Sequence, residues 1–529
     1  MTETTSMPAG RGFAAEDERA RGLRRGVGPF GSFAAGFSFV SILTTVFQLF
    51  GLGFGFGGAA FFWTWPAVFV GQLLVSLCFA ELVARYPISG AIFQWSSRLA
   101  GTDVGWFTGW IMVIGQILTV ATAAIAMQTV LPAIWSGFQV VGGPGASADP
   151  TTATGAQNAV LLGLAVLVLS TAINIVGVRV MAVFNSIGVT IEIVGVIALV
   201  AVLLFLSERG SGVVLTTTGA AEGPYLPLWL ASSLVAAYVL VGLDSAGELA
   251  EETRSPRRLT PKTIIRALVA SGVGGLLLIL AGILAAPSLT NGMLSEKGLA
   301  WVVTSRVGGI GAPLLLLAVA MAIFACTLAV QASGTRMLFS MAREGTVPFS
   351  RQLRTVSDRT GTPVAGSIVV GAGAAIVLAV NWNQQAVFTA LASTAVAMLY
   401  LAYLGVTLPL LVKRTRRGGL EQGVAEDGEP LFSLGRYGIP ITIVAVLYQI
   451  GMVVNLLWPR AAVYDLTGRT WWLQWSALLF LTLVLVVGAA IHLRTRLRRR
   501  GPIVLDPIPT SAYPPETGSV APTDRAGDD

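Results

Sequence analysis

Apolar runs of about 20 residues recur along this chain from residue 32 to residue 494, separated by short polar gaps. That is the length a helix needs to cross about 30 Å of hydrocarbon at about 1.5 Å of rise per residue. Twelve such runs are present, at residues 32–58, 60–84, 104–134, 157–178, 183–206, 225–249, 263–286, 310–337, 364–381, 386–412, 437–457 and 471–493. Lipid offers backbone amides no partners, so each run must satisfy its own hydrogen bonds as a helix. The expected fold is an all-α polytopic membrane protein with 12 transmembrane helices. Composition agrees, since only 12% of the 529 residues are charged, against about 25% in a soluble protein.

The basic residues set the expected orientation. Of 34 Lys and Arg residues, only Arg209, Lys297, Arg306, Arg460 and Arg469 fall in what would be the outer gaps. The rest lie on the other side, which the positive-inside rule makes cytoplasmic. A multi-pass plasma-membrane protein with both termini cytoplasmic follows. The net charge of +7 is this bias, and "RTRLRRR" at 494–500 suits anionic headgroups. Nucleic acid is not an expected partner, because no basic patch is interleaved with aromatics. Cys78 and Cys326 both lie in apolar runs, so no disulfide framework is indicated. About 28 mixed polar residues precede the first run, and no cleavable signal peptide is expected.

The same pattern divides the chain into a disordered cytoplasmic tail at 1–31, a ten-helix core at 32–412 and a polar cytoplasmic linker at 413–436. Accessory helices 11 and 12 follow at 437–493, then a basic and finally disordered tail at 494–529. Residues 136–157 form the longest outer connection, rich in Gly, Ala and Thr and expected to be flexible.

Two runs carry helix-breaking residues. Run 1 places Ser41, Thr44 and Thr45 in its apolar stretch and then Gly51, Gly53, Gly55 and Gly57, each glycine costing about 1 kcal/mol relative to Ala in a helix. Run 6 has Gly242, Asp244, Ser245 and Gly247 within six residues. The two runs correspond if runs 1–5 and 6–10 are copies of one unit, and an odd span number inverts the copies. Paired discontinuous helices of this kind point to a transporter binding site; glycines that merely allow close helix packing are the alternative. The nucleotide-binding glycine patterns G-x-G-x-x-G after a strand and G-x-x-x-x-G-K-[ST] do not occur.

Five segments together resemble the amino acid/polyamine/organocation permeases, nearest the branch of amino acid, choline and GABA permeases. They are "GFSFVSI" (36–42), "AELVARYPISGAIFQW" (80–95), "NSIGVTIEIVG" (185–195), "GLDSAGELAEETRSPRRLTP" (242–261) and "RMLFSMAREGTVP" (336–348). The resemblance runs through about residues 30–412, and "FFWTWP" (61–66) adds a narrower likeness to urea-carboxylase-associated permeases. It implies a five-plus-five inverted repeat with alternating access, in which helices 1 and 6 unwind at the substrate site. Those unwound parts fall near Ser41–Val46 and Val239–Asp244, so that Ser41, Thr44, Thr45, Val239, Gly242 and Asp244 would line the substrate. Many amino-acid permeases have a Gly-x-Gly break in helix 1, whereas this chain has "SILTTV". Hydroxyls of Thr44 and Thr45 would then stand in for bare backbone at a substrate carboxylate.

Glu192 lies about 14 Å into run 5, near mid-membrane. An acid there costs about 2.5–3.5 kcal/mol to insert and must face protein or a wet cavity. A proton-coupling carboxyl, a counter-ion for a cationic substrate and a protonated packing residue all fit. Asp244 sits about 10 Å above Glu251 and suits cation recognition, gating or capping of the lower half-helix. Glu248, one turn on, reads as an inner-vestibule or gate residue. Glu251 and Glu252 precede Arg254, Arg257 and Arg258 and are expected to form an interfacial salt-bridge cluster with them. Glu81, before Arg85, suits a cytoplasmic gate pair or local anchoring. His492, the single histidine, is expected to be solvated at the interface. Gln48, Gln116, Asn174 and Gln331 suit interhelical hydrogen bonds or a pathway, and Trp471 and Trp472 an interfacial belt.

The expected function is a secondary active transporter for an amino acid or related small amine, working by proton-coupled symport or exchange. A sodium site would need more than Thr327 on run 8. Urea or a guanidino compound is an alternative cargo, and a non-transporting nutrient sensor is an alternative of another class. A membrane enzyme would need a nucleophile–base or metal constellation, which the sequence does not offer. A channel would need pore rings or a filter. No cofactor or metal is implied.

Overall fold

Among the described residues every apolar run is built of helix, and runs 1 and 6 fold as helices separated by non-helical residues. The computed structural model describes residues 27–149, 152–380, 382, 387–417, 420, 423–425, 428–464, 471–498 and 505. Within them every named element is a helix. Run 1 is α1 (Pro29–Val40) and α2 (Ile42–Gly57), followed by α3 (Thr64–Arg85), the short α4 (Ala91–Ala100) and α5 (Thr102–Ile125). Next come α6 (Ala153–Val176), α7 (Val178–Phe205), and run 6 as α8 (Tyr225–Ser232), α9 (Leu234–Val239) and α10 (Ser245–Glu248). The remainder comprises α11 (Pro256–Ala285), α12 (Met293–Arg306), α13 (Gly311–Arg343), α14 (Val364–Val380), α15 (Val387–Arg417), α16 (Gly438–Leu457) and α17 (Ser476–Arg498).

Nine helical stretches among the described residues are long and apolar enough to cross a membrane, the first of them, Pro29–Arg85, containing two runs. Tyr225–Val239 and Val364–Val380 are shorter apolar helices. The chain is thus an all-helical, multi-pass membrane protein. On α7, Val183, Ile187, Val194 and Ile197 are exposed while Glu192 is fully buried. Apolar patches of that kind are rare on soluble monomers and suit contact with lipid.

The glycine-rich half of run 1 does not unwind: α2 continues through Gly51, Gly53, Gly55 and Gly57. A Cβ on Gly51 would stand 2.5 Å from the Ser295 carbonyl oxygen of α12, and one on Gly53 would stand 2.6 Å from Val235. Close packing therefore outweighs the intrinsic cost of these residues.

Segment ends also differ from expectation. The Val27 amide donates to the Glu252 carbonyl at 3.0 Å, and the Arg254 amide donates to the Val27 carbonyl at 3.2 Å. With α1 starting at Pro29, the expected disorder does not extend to residue 31; residues 1–26 lie outside the described residues. Helix α15 runs on to Arg417, past residue 412, because Arg414 folds back onto Glu81 and Gly438. Helix α17 likewise continues to Arg498, while most of the remaining tail lies outside the described residues.

Candidate functional site

A helix that stops and restarts leaves N–H donors with no partner inside it. In run 1 the break is one residue, Ser41, with φ 25° and ψ 97°. Glu192 of α7 meets one of them: its Oε1 accepts from the Leu43 amide at 3.1 Å, and also from the Ser41 hydroxyl at 2.9 Å. The Thr44 hydroxyl lies 2.6 Å from that of Ser41. Glu192 is fully buried, and its Oε2 has no hydrogen-bond partner among the described residues. Gly188 and Gly195, four before and three after it, lie on the same face of α7. A Cβ on Gly188 would stand 2.4 Å from Ala325 Cβ, and one on Gly195 would stand 3.2 Å from Leu43 Cδ1. These small residues let α7 approach close enough to carry a short acid onto the backbone of run 1.

In run 6 the break spans Leu240 to Asp244. Gly242 has φ +88°, a conformation side chains rarely tolerate, and a Cβ on it would stand 1.9 Å from the Phe39 ring. Phe39 is one of the last residues of α1, so the two breaks abut. Tyr403 of α15 braces the second: its hydroxyl accepts from the Gly242 amide at 2.8 Å and donates to Asp244 Oδ1 at 2.5 Å. Asp244 Oδ2 has no partner among the described residues. One turn further, Glu248 Oε2 accepts from the Gly90 amide at 2.8 Å and so caps α4. Three fully buried carboxylates thus surround the abutting breaks.

Beyond Glu248 the chain is tied by ion pairs. Glu251 takes both guanidinium nitrogens of Arg343 at 3.0 Å and the Ser89 amide at 3.1 Å. Glu252 pairs with Arg336 at 3.0 and 3.3 Å, with both side chains buried. Glu81 bonds Arg414, pairs with Arg85 at 3.3 Å and accepts from the Ser433 hydroxyl at 3.0 Å.

Several expectations are corrected by this geometry. Thr44, Thr45 and Val46 are helical rather than unwound, because Ser41 alone absorbs the change of direction. Val239 ends α9 instead of joining the break. Glu251 and Glu252 find their partners on α13, not in Arg254, Arg257 and Arg258, since α13 brings two guanidinium groups directly beneath run 6. Arg258 instead meets Glu429 at 2.6 Å. His492 is not solvated: it is buried, 2.9 Å from Asp103, with its ring 4.8 Å from that of Trp106.

Neutral polar residues mostly link helices. Gln48 donates to the Thr122 carbonyl at 2.6 Å, Gln116 to Ser333 at 2.9 Å, Asn174 to the Leu328 carbonyl at 3.3 Å and Gln331 to Thr171 at 2.7 Å. Thr327 donates to Ile323 of its own helix at 2.8 Å. Sequence reasoning missed Tyr403, Arg336, Arg343 and Arg414. For Tyr403 a signal existed, a hydroxyl deep within the apolar "LYLAYLG".

A family model described as amino acid permease matches residues 27–486. The amino-acid permease BAT1 of Arabidopsis thaliana is 26% identical over 480 residues, covering 85% of this chain and 88% of its own. Its homologue in Oryza sativa subsp. japonica is 27% identical over 505 residues, covering 91% and 93%. The low-affinity putrescine importer PlaP of Escherichia coli K12 is 22% identical over 353 residues, covering 64% and 71%. With the match running from the first described residue through both broken helices to α17, this chain belongs to the amino acid permease family of the amino acid/polyamine/organocation superfamily, transporters and not enzymes.

Proposed function

We propose that this protein is a secondary active transporter that carries an amino acid or related small amine across the plasma membrane by alternating access. One observation carries the reading: the breaks of runs 1 and 6 abut through Phe39 and Gly242, and buried carboxylates meet them there. Discontinuous helices in corresponding positions are how transporters of inverted-repeat architecture hold substrate near the midplane. On this reading 12 spans cross the bilayer with both termini inside. Residues 32–412 form the five-plus-five repeat, and α16 and α17 are accessory.

Ser41, Gly242 and Asp244 face the substrate, with Thr44, Thr45 and Val239 behind them. Glu192 and Glu248 serve coupling, and Glu81 with Arg414 closes the inner end. Protons are the proposed coupling ion, because the site holds titratable carboxylates and Thr327 is committed to its own helix; substrate exchange is the same cycle without net proton flow. The named cargoes of relatives, amino acids and putrescine, support a small nitrogenous solute.

The test is uptake by the full chain in proteoliposomes. Neutral amino acids, GABA, lysine, putrescine, choline, guanidine and urea would each be supplied with and without an inward proton gradient. Saturable accumulation that collapses with a protonophore supports the proton-coupled reading. Binding without uptake of any solute would turn the reading to a nutrient sensor.

A further inference from the structure

The first N–H groups of a helix carry partial positive charge and suit an anion. In a transporter with broken helices, such a terminus is where a substrate carboxylate docks. In this chain the terminus that begins at Ile42 is already taken by a residue of the protein itself. Glu192 Oε1 holds the Ser41 hydroxyl at 2.9 Å and the Leu43 amide at 3.1 Å, and Thr44 closes the hydroxyl chain at 2.6 Å. The placement is built in, because Gly188 and Gly195 give α7 its close approach. The other oxygen, Oε2, is buried with no partner among the described residues, and the same holds for Asp244 Oδ2 and Glu248 Oε1. No Lys or Arg hydrogen-bonds or pairs with any of these three acids among the described residues.

At the start of α2 the Ser41 hydroxyl and the Leu43 amide are thus already taken, while three acid oxygens keep their capacity to accept. An incoming carboxylate would bring only acceptors and a second negative charge to a desolvated place, which is costly. An ammonium or guanidinium group brings the donors that are missing.

Resting on the transporter reading and narrowing it, we propose that Glu192 is a specificity-determining residue, a tethered carboxylate that fills the anion site of run 1. It excludes ligands bearing a carboxylate and presents its free oxygen to the cationic group of an amine or guanidine.

Matched ligands test this directly: putrescine against ornithine, cadaverine against lysine, and agmatine against arginine, each pair differing by one carboxylate. Ligand-induced thermal shift of the purified full chain gives an affinity ratio for each pair without requiring transport. Wild type should favour the decarboxylated member by about tenfold or more. Glu192→Ala, which frees the Ser41 hydroxyl and Leu43 amide, should shrink or reverse that ratio. Glu192→Gln, which still caps the helix without the charge, should weaken the amines and gain no amino acid. Equal or tighter binding of the amino acids to wild type overturns the proposal, as does an unchanged ratio in a folded Glu192→Ala protein. If neither variant folds, the wild-type ratios decide alone. Uptake of neutral amino acids by wild-type proteoliposomes would overturn it while leaving the transporter reading intact. Failure to move any solute of either panel would overturn that reading and this one with it.

Discussion

The Tyr403 hydroxyl joins the middle of the run 6 break to its end, accepting from the Gly242 amide at 2.8 Å and donating a hydrogen bond to Asp244 at 2.5 Å. One side chain from α15 thus holds five residues of non-helical backbone in a protein interior, where an unmet amide or carboxylate is expensive. Tyr403→Phe removes only the oxygen and leaves both groups without it. Thermal unfolding in a fixed detergent should show a loss of about 1.5–3 kcal/mol, with impaired uptake. Wild-type stability together with wild-type uptake would remove Tyr403 as the brace.

Glu252 and Arg336 form a buried, two-toothed ion pair between the end of run 6 and α13. Breaking one side strands a charge in a buried site, at about 3–5 kcal/mol. Glu252→Gln and Arg336→Met should each lower the unfolding temperature sharply. The double variant Glu252→Leu with Arg336→Met should recover most of the loss, since apolar pairs of similar volume replace such bridges well. Additive losses in the double variant would mean that the two residues do not act as a pair.

What the sequence disclosed and what it hid divide along a physical line. Both breaks were legible because helix propensity is local: Gly242, Asp244, Ser245 and Gly247 cannot all sit comfortably in one turn, and Ser41 interrupts an apolar run. The glycines of α2 allowed both a break and close packing for the same reason, because their cost is local whereas their use is to meet Ser295 and Val235 from other helices. Pairing was the hidden part. Asp103 lies 389 residues from His492, and Arg336 and Arg343 lie 84 and 92 residues from their acids. Reading nearest neighbours assigned Glu251 and Glu252 to adjacent arginines. The buried acid of α7 could be recognised at its depth in the run, but not the backbone it caps.

Glu81 gathers Arg414, Arg85 and Ser433, while Arg85 also donates to the Phe432 carbonyl at 3.2 Å. The segment ahead of α16 is therefore pinned to the end of α3 by a cluster centred on one carboxylate. Glu81→Ala should release it, and hydrogen exchange of peptides covering residues 430–437 should quicken by roughly tenfold or more, the loss of a hydrogen bond to a charged group. Exchange as slow as in wild type would show that the segment is held by other contacts.

The seating of Glu192 depends on how closely α7 lies against α13, and that closeness rests on Gly188. A Cβ there would stand 2.4 Å from Ala325 Cβ, with the Ala325 Cα at 3.8 Å, so the obstruction is a single methyl group. Gly188→Ala should cost about 1–3 kcal/mol through overpacking and draw Glu192 off the Leu43 amide, with loss of uptake. Adding Ala325→Gly moves the methyl group from one helix to the other and should restore both stability and uptake. Gly451→Ala is the control: nothing lies within 4 Å of its added carbon, and helix propensity there favours Ala by about 1 kcal/mol. If Gly188→Ala is as harmless as Gly451→Ala, α7 has slack at this contact, and the approach of Glu192 to run 1 must be fixed elsewhere along the helix.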